Sequence, residues 1–231
     1  MFLKYLPLVG ALGIAFPAAA ITVNMTNFRL GTASSVTMSG NSGSPSYSGA
    51  AGEFQGTTTL TTTQLSLLSR SAAAAPTSFV AWCAELTQSF SFGTPYEYLQ
   101  VPGNSYFSPD KVADLSRLFT AAQGFVVDPD SSAAMQAGIW EIIYEQDPTY
   151  SFDTGTLRGA PNNAGGQPEF DTVDGFLMNL ASYQPDYQIQ VLTSGEHQDF
   201  LVATIPEPET WALLIAGFGA LGFLKRRRKA A

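Results

Sequence analysis

Apolar positions recur along this chain with the periods of both strands and helices, and two uninterrupted apolar runs lie near its ends. Ile21 to Phe28 alternates weakly, as a strand does. Gly31 to Gly56 is rich in Ser, Gly and Ala, a composition that fits a flexible arm and equally fits short edge strands joined by turns. Thr57 to Leu68 has the β-branched character of a strand. The strongest strand signal is Thr77 to Phe92. There Val80, Trp82, Ala84 and Leu86 fall on one face, and Phe79, Ala81, Cys83 and Glu85 on the other, because successive side chains of a strand point to opposite sides. Tyr96 to Pro109 reads as an aromatic loop punctuated by Pro102-Gly103.

Helical spacing follows. Ser108-Pro109-Asp110 opens a helix with Val112, Leu115, Leu118 and Phe119 on one side. Asp130-Ser131-Ser132 supplies cap candidates for a second, running to about Gln146 before Pro148. Thr149 to Glu169 reads as a loop containing Gly165-Gly166. Asp171 to Tyr183 predicts a third helix carrying Val173, Phe176, Leu177 and Leu180. Tyr187 to Leu192 and Asp199 to Thr204 flank Ser194-Gly195 as a β-hairpin. No repeat of solenoid or propeller length is present. The order predicts an α+β fold of mainly antiparallel strands, sandwich or barrel-like, with about three helices.

The two end runs have a different meaning. Met1 to Ala20 holds Lys4, an apolar stretch from Tyr5 to Phe16, and the small-residue triplet Ala18-Ala19-Ala20. It reads as a secretory signal helix cleaved by signal peptidase after Ala20; an uncleaved anchor is the alternative, for which the stretch is short. At the other end, Pro206-Glu207-Pro208 precedes an apolar run from Trp211 to Leu224, and Lys225-Arg226-Arg227-Arg228-Lys229 follows. Proline lacks an amide donor and fixes φ, so it interrupts regular structure. The apolar run is the expected C-terminal transmembrane helix, and the basic cluster stops transfer on the cytoplasmic side. At 1.5 Å per residue the run spans only about 21 Å, which suits a temporary anchor. This tripartite tail resembles the PEP-CTERM sorting signal. The resemblance implies handling by an exosortase-type membrane protease, transient residence in the inner membrane of a Gram-negative-type bacterium, and then the cell surface or extracellular space. The expected organisation is therefore a signal peptide over 1–20, an ectodomain over 21–205 and a sorting tail over 206–231.

Charge narrows the partners of the ectodomain. Residues 21–205 hold five Lys/Arg against seventeen Asp/Glu, a net of −12. Such a surface repels phosphate backbones, which argues against nucleic acid as a partner. The chain has one cysteine, Cys83, so no disulfide can form within it.

Two segments carry the remaining chemistry: Trp82-Cys83-Ala84 in the strongest strand, and Met135-Gln136-Ala137-Gly138-Ile139-Trp140 early in the second helix. Singly, each has a plain reading: a small buried hydrophobe, a hydrogen-bonded amide, core aromatics. Together they resemble the paired signatures of bacterial thioester domains, an aromatic before a Cys and an apolar residue before a Gln with a Trp four residues on. The resemblance implies condensation of the Cys83 thiol with the Gln136 carboxamide into an internal thioester, and later attack by a surface amine to leave an isopeptide link. Ala84 departs from the bulkier residue usual after the Cys. Trp140, one turn beyond Gln136, is placed to shield the bond, and Glu85, on the face of Cys83, to assist proton transfer. Gly138 inside a helix costs about 1 kcal/mol against Ala and hints at close packing.

Other chemistries lack their residues. One His (His197) and one Cys cannot build a usual zinc site. No loop has the oxygen spacing of a calcium site, and no Gly-x-Ser-x-Gly elbow is present. No cofactor is implied. The expectation is an exported surface or extracellular-matrix protein rather than a turnover enzyme, attached covalently to target amines or a polysaccharide matrix if the thioester forms. A non-reactive structural protein of the same fold is the alternative, and a secreted hydrolase a more distant one.

Overall fold

The computed structural model describes residues 20–41, 43–58 and 78–205. The expected signal helix and the expected transmembrane helix fall on residues outside these. Among the described residues no helix is long and apolar enough to cross a membrane.

Six strands close an antiparallel barrel. They are β1 (Ala20–Phe28), β4 (Phe54–Thr58), β5 (Ser78–Cys83), β6 (Pro95–Pro102), β8 (Gln188–Thr193) and β9 (Phe200–Thr204), in the order β1-β4-β5-β9-β8-β6. Closure removes the exposed edges that an open sheet would leave. Alternation fills the inside. Ile21, Val23 and Met25 of β1 are buried between partly exposed neighbours. Gly56 of β4 admits the Phe79 ring, because a Cβ there would lie 2.6 Å from Phe79 Cζ. Phe200 meets Phe54, Phe90 and Tyr98.

A second sheet of three strands has the order β3-β2-β7, with β2 (Ser34–Gly40), β3 (Tyr47–Ala51) and β7 (Leu157–Pro161). The helices are α1 (Pro109–Ala121), α2 (Pro129–Tyr144) and α3 (Gln167–Met178). Every residue of α2 from Ser131 to Ile142 is buried. A helix buried on all sides and mostly apolar belongs in a core, and α2 packs against the three-stranded sheet and both other helices. Gly138 makes this possible: a Cβ there would lie 2.7 Å from Val173 Cγ1 of α3.

Several boundaries differ from the sequence reading, each for a tertiary reason. The Ser/Gly-rich segment forms short strands, and one of them, β2, is the centre of its sheet. The strand expected over 57–68 begins at Phe54, and beyond Thr58 it leaves the described residues. β5 stops at Cys83, so Trp82-Cys83-Ala84 lies at the strand end and not at its centre. The first half of the aromatic loop is β6, whose prolines stand at its two ends. Tyr98 is buried there, and its hydroxyl donates to Gln198 O at 3.1 Å. The expected loop over 149–169 contains β7, held by pairing to the sequence-distant β2. α2 is capped by Asp128, not by Asp130-Ser131-Ser132: Asp128 Oδ1 accepts from Ser131 N at 2.8 Å and Ser131 Oγ from Asp128 N at 3.0 Å. α3 begins at Gln167, with Pro168 in the first turn, where its missing N–H matters least.

Candidate functional site

The site is built where β4 runs out beside β5. Their register pairs Phe54 with Ala81, so Gly52 would face Cys83 if β4 continued. It does not. Gly52 has φ +150°, and a Cβ on it would lie 2.9 Å from Ser132 Oγ, which itself accepts from Glu53 N at 2.8 Å. Only glycine fits this turn. The Cys83 amide and carbonyl are thereby left without a strand neighbour on that side.

Gln136 fills the gap. Cys83 N–H donates to Gln136 Oε1 at 2.8 Å, and Gln136 Nε2 donates to Cys83 O at 2.9 Å. A carboxamide carries the same donor and acceptor pair as a peptide, so the Gln136 side chain continues the ladder that β4 abandons. Gln136 is 0% exposed and Cys83 8%. On its far side Cys83 pairs with Phe200 of β9, and Ala84 N donates to Asp199 O at 2.9 Å. The two motifs, 53 residues apart, thus meet side chain to backbone.

One helical stripe organises the surroundings. Gln136, Trp140 and Tyr144 recur every four residues of α2 and share a face. Tyr144 Oη accepts from Leu86 N at 3.0 Å, three residues beyond Cys83. Trp140 lies between, buried, its ring centroid 5.2 Å from that of Tyr47 of β3. Trp140 Nε1 has no acceptor among the described residues. Glu85 does not extend β5; its Oε1 accepts from Asp199 N at 3.0 Å. Asp199 is a hub, accepting from Tyr106 Oη at 2.6 Å, Thr193 Oγ1 at 3.1 Å and Ser194 N at 2.6 Å. Tyr144 was legible in the four-residue spacing from Gln136 and Trp140. Asp199 and Tyr47 carried no such signal, because only the folded chain brings them here.

The electrostatics favour neutral forms. Burial first, and then the charge of Glu85, push the Cys83 thiol well above its ordinary range, so it stays protonated at neutral pH. Burial also raises the Glu85 carboxyl; the Asp199 amide opposes this, and the Asp199 charge adds to it. A carboxylate raised toward neutrality is a better proton acceptor than an ordinary one. Burial raises Tyr144 as well, against the Leu86 N–H bond that favours its charged form.

A second polar cluster lies at the other end of α2. Glu141 is fully buried; its Oε1 accepts from Ser151 N at 3.2 Å, and its Oε2 has no partner among the described residues. Burial first, with Glu145 and Asp174 adding to it, lifts its carboxyl to about 8. Glu145 accepts from the amides of Gln146, Asp147, Thr156 and Leu157. These bonds and that of the Thr156 hydroxyl outweigh the opposing effect of burial and bring it to about 2. The His197 ring packs tilted against that of Tyr96, with centroids 3.9 Å apart. Among the described residues no group of three or more His, Cys, Asp or Glu is placed to hold a metal ion.

β9 ends at Thr204, two residues before the expected sorting tail. Residues 204–229 match the PEP-CTERM protein-sorting motif. The matched span includes Pro206, Glu207, Pro208 and the cluster Lys225, Arg226, Arg227, Arg228, Lys229. The motif implies an exported protein, processed by exosortase at the membrane and sorted to the cell surface or extracellular space. Comparison with curated proteins and with solved structures found no match for the chain.

Proposed function

We propose that this is a surface or extracellular-matrix protein whose ectodomain attaches covalently to a target amine through an internal Cys83–Gln136 thioester. The observation that supports this reading is the paired hydrogen bond between the Gln136 carboxamide and the Cys83 backbone. It fixes the acyl carbon beside the residue that bears the thiol, supplying the effective molarity an intramolecular condensation needs.

In the first step Cys83 Sγ attacks Gln136 Cδ. The thiol proton passes to the Glu85 carboxylate, and negative charge develops on Gln136 Oε1. The Cys83 amide already donates to that oxygen and serves as its oxyanion donor. The C–N bond breaks, the proton held by Glu85 goes to Nε2, and ammonia leaves. In the second step a neutral primary amine attacks the same carbon. The C–S bond breaks, an amide to Gln136 Cδ forms, and the amine proton restores the Cys83 thiol. Each chain reacts once, so the protein is not a turnover enzyme. Trp140 keeps water from the acyl carbon, and a lysine of a surface protein or an amine within a polysaccharide matrix is the target.

One observation favours a second reading. The carboxamide replaces a strand that Gly52 turns away, so Gln136 also works as a permanent, non-reactive structural bridge. Intact mass separates the two. The thioester reading expects the mature protein to be lighter by one ammonia, with no titratable thiol and with methylamine adding to Gln136 and releasing the thiol. Full mass with a titratable thiol would sink it.

A further inference from the structure

We propose that Tyr47, outside both sequence motifs, is the gate to the Cys83–Gln136 pair, and that its ring sets which nucleophiles gain access to it. The inference rests on the site described above and deepens the thioester reading.

The gate follows from position. The Tyr47 ring packs tilted against that of Trp140, which stands between Gln136 and Tyr144 on the face of α2 that meets the end of β5. Trp140 is fully buried, and Tyr47, packed against it, is half-buried. Burial first, and then an electrostatic contribution from Cys83, raise the Tyr47 hydroxyl. The β2–β3 turn reinforces the cover, since Ser44 Oγ donates to Tyr144 O at 3.2 Å.

The carrier of Tyr47 is separable from the barrel. Among the described residues β3 is the edge of the three-stranded sheet and pairs only with β2. Displacing it breaks no barrel hydrogen bond. Its exit is Gly52 at φ +150°, a backbone position that tolerates rearrangement where other residues would not. The phenol is laid across its own strand: Tyr47 Oη donates to Ala50 O at 2.7 Å, over Gly49, where a Cβ would lie 2.7 Å from that oxygen. A single neutral hydrogen bond on an edge strand is a weak latch. Beneath it the unpartnered Trp140 Nε1 gains an acceptor whenever water or an incoming polar group enters. A ring that swings on a weak latch admits a slender primary amine more readily than a branched one.

The test compares the mature full-length protein with its Tyr47→Ala and Tyr47→Phe variants. Intact mass first establishes whether the pair is bonded. If it is, the rates of addition of methylamine and of the bulkier Nα-acetyl-lysine methylamide are followed by mass. If it is not, the probe is labelling of Cys83 by methyl methanethiosulfonate. Tyr47→Ala is expected to react at least about tenfold faster, with the larger gain for the bulkier amine, because local opening replaces a gated step. Tyr47→Phe keeps the ring on Trp140 and is expected to stay within a few-fold of the parent. A merely structural role would raise the rate only through global unfolding, and the reaction would then carry the full urea dependence of unfolding. Rates within about twofold of the parent for Tyr47→Ala, or acceleration with that full urea dependence, would overturn the gate. Should Tyr47→Ala fail to fold, Tyr47→Leu is read by the same criteria. Absence of the mass loss would defeat the thioester reading alone, because the thiol-labelling comparison still decides the gate.

Discussion

Replacing Cys83 with Ala removes one sulfur and leaves the backbone that holds Gln136 untouched, so its effect on stability measures covalent closure. Without a cross-link the loss is the burial of a small apolar group, about 1 kcal/mol. With one, the bond joins positions 53 residues apart. Chain-entropy reasoning for a closed loop of that length gives about 4 kcal/mol of restraint on the unfolded chain. Bond formation expels Nε2 and with it the donor to Cys83 O, a hydrogen bond worth about 1 kcal/mol net. The net of closure is then about 3 kcal/mol, and the variant loses about 4 kcal/mol in all. Urea unfolding at mildly acidic pH, where an exposed thioester hydrolyses slowly, reads this through the buried Trp82 and Trp140. Treating the parent with methylamine opens the link while keeping every side-chain atom of Cys83, and is expected to reproduce most of the loss. A variant weakened by only about 1 kcal/mol, with no effect of methylamine, would refute closure.

Further outcomes follow from single sites. Glu141 is lifted to about 8 from an ordinary 4.5, so the folded state binds its proton more tightly than the unfolded chain does. Its contribution is therefore full below 4.5 and declines as pH rises to about 8. Glu141→Gln is expected to flatten that decline in urea midpoints between pH 5 and 9, and an unchanged slope would contradict the assignment. Glu145 works in the opposite sense: held at about 2, it stabilises above 4.5 and loses that effect as pH falls toward 2, so Glu145→Gln should weaken the protein at pH 7 and matter less near pH 2. Gly138→Ala gains about 1 kcal/mol of helix propensity but drives a methyl against Val173, at an overpacking cost of about 1–3 kcal/mol; calorimetry should find a neutral to lower melting temperature, and a clear rise would refute the close contact. Replacing Arg226, Arg227 and Arg228 with Ser is expected to disturb retention or orientation in cell fractionation, and normal sorting would refute the stop-transfer role of the cluster.

The sequence alone carried whatever is local. Helical spacing placed three helices, and Ser108 the start of α1, because those signals lie within a few residues of one another; the starts of α2 and α3 did not follow the expected residues. The β8–β9 hairpin was equally plain around Ser194-Gly195. The tail was legible as an address, since proline, an apolar run and a basic cluster act by composition and order. Cys83 and Gln136 stood out as a pair by resemblance. Tertiary structure decided the rest. β7 carries one buried residue, Leu157, and becomes a strand only because β2 offers an edge. β6 looked like a loop until its partners β1 and β8 closed the barrel around it. Most of all, the role of Gln136 depends on an absence elsewhere. Gly52 turns β4 away, and the gap left opposite Cys83 has the shape of a peptide group, which a buried carboxamide matches. Nothing near Gln136 in the chain encodes that gap. Tyr47 and Asp199 belong to the site for the same reason: the fold carries them there from a strand and a loop that the linear pattern never connects.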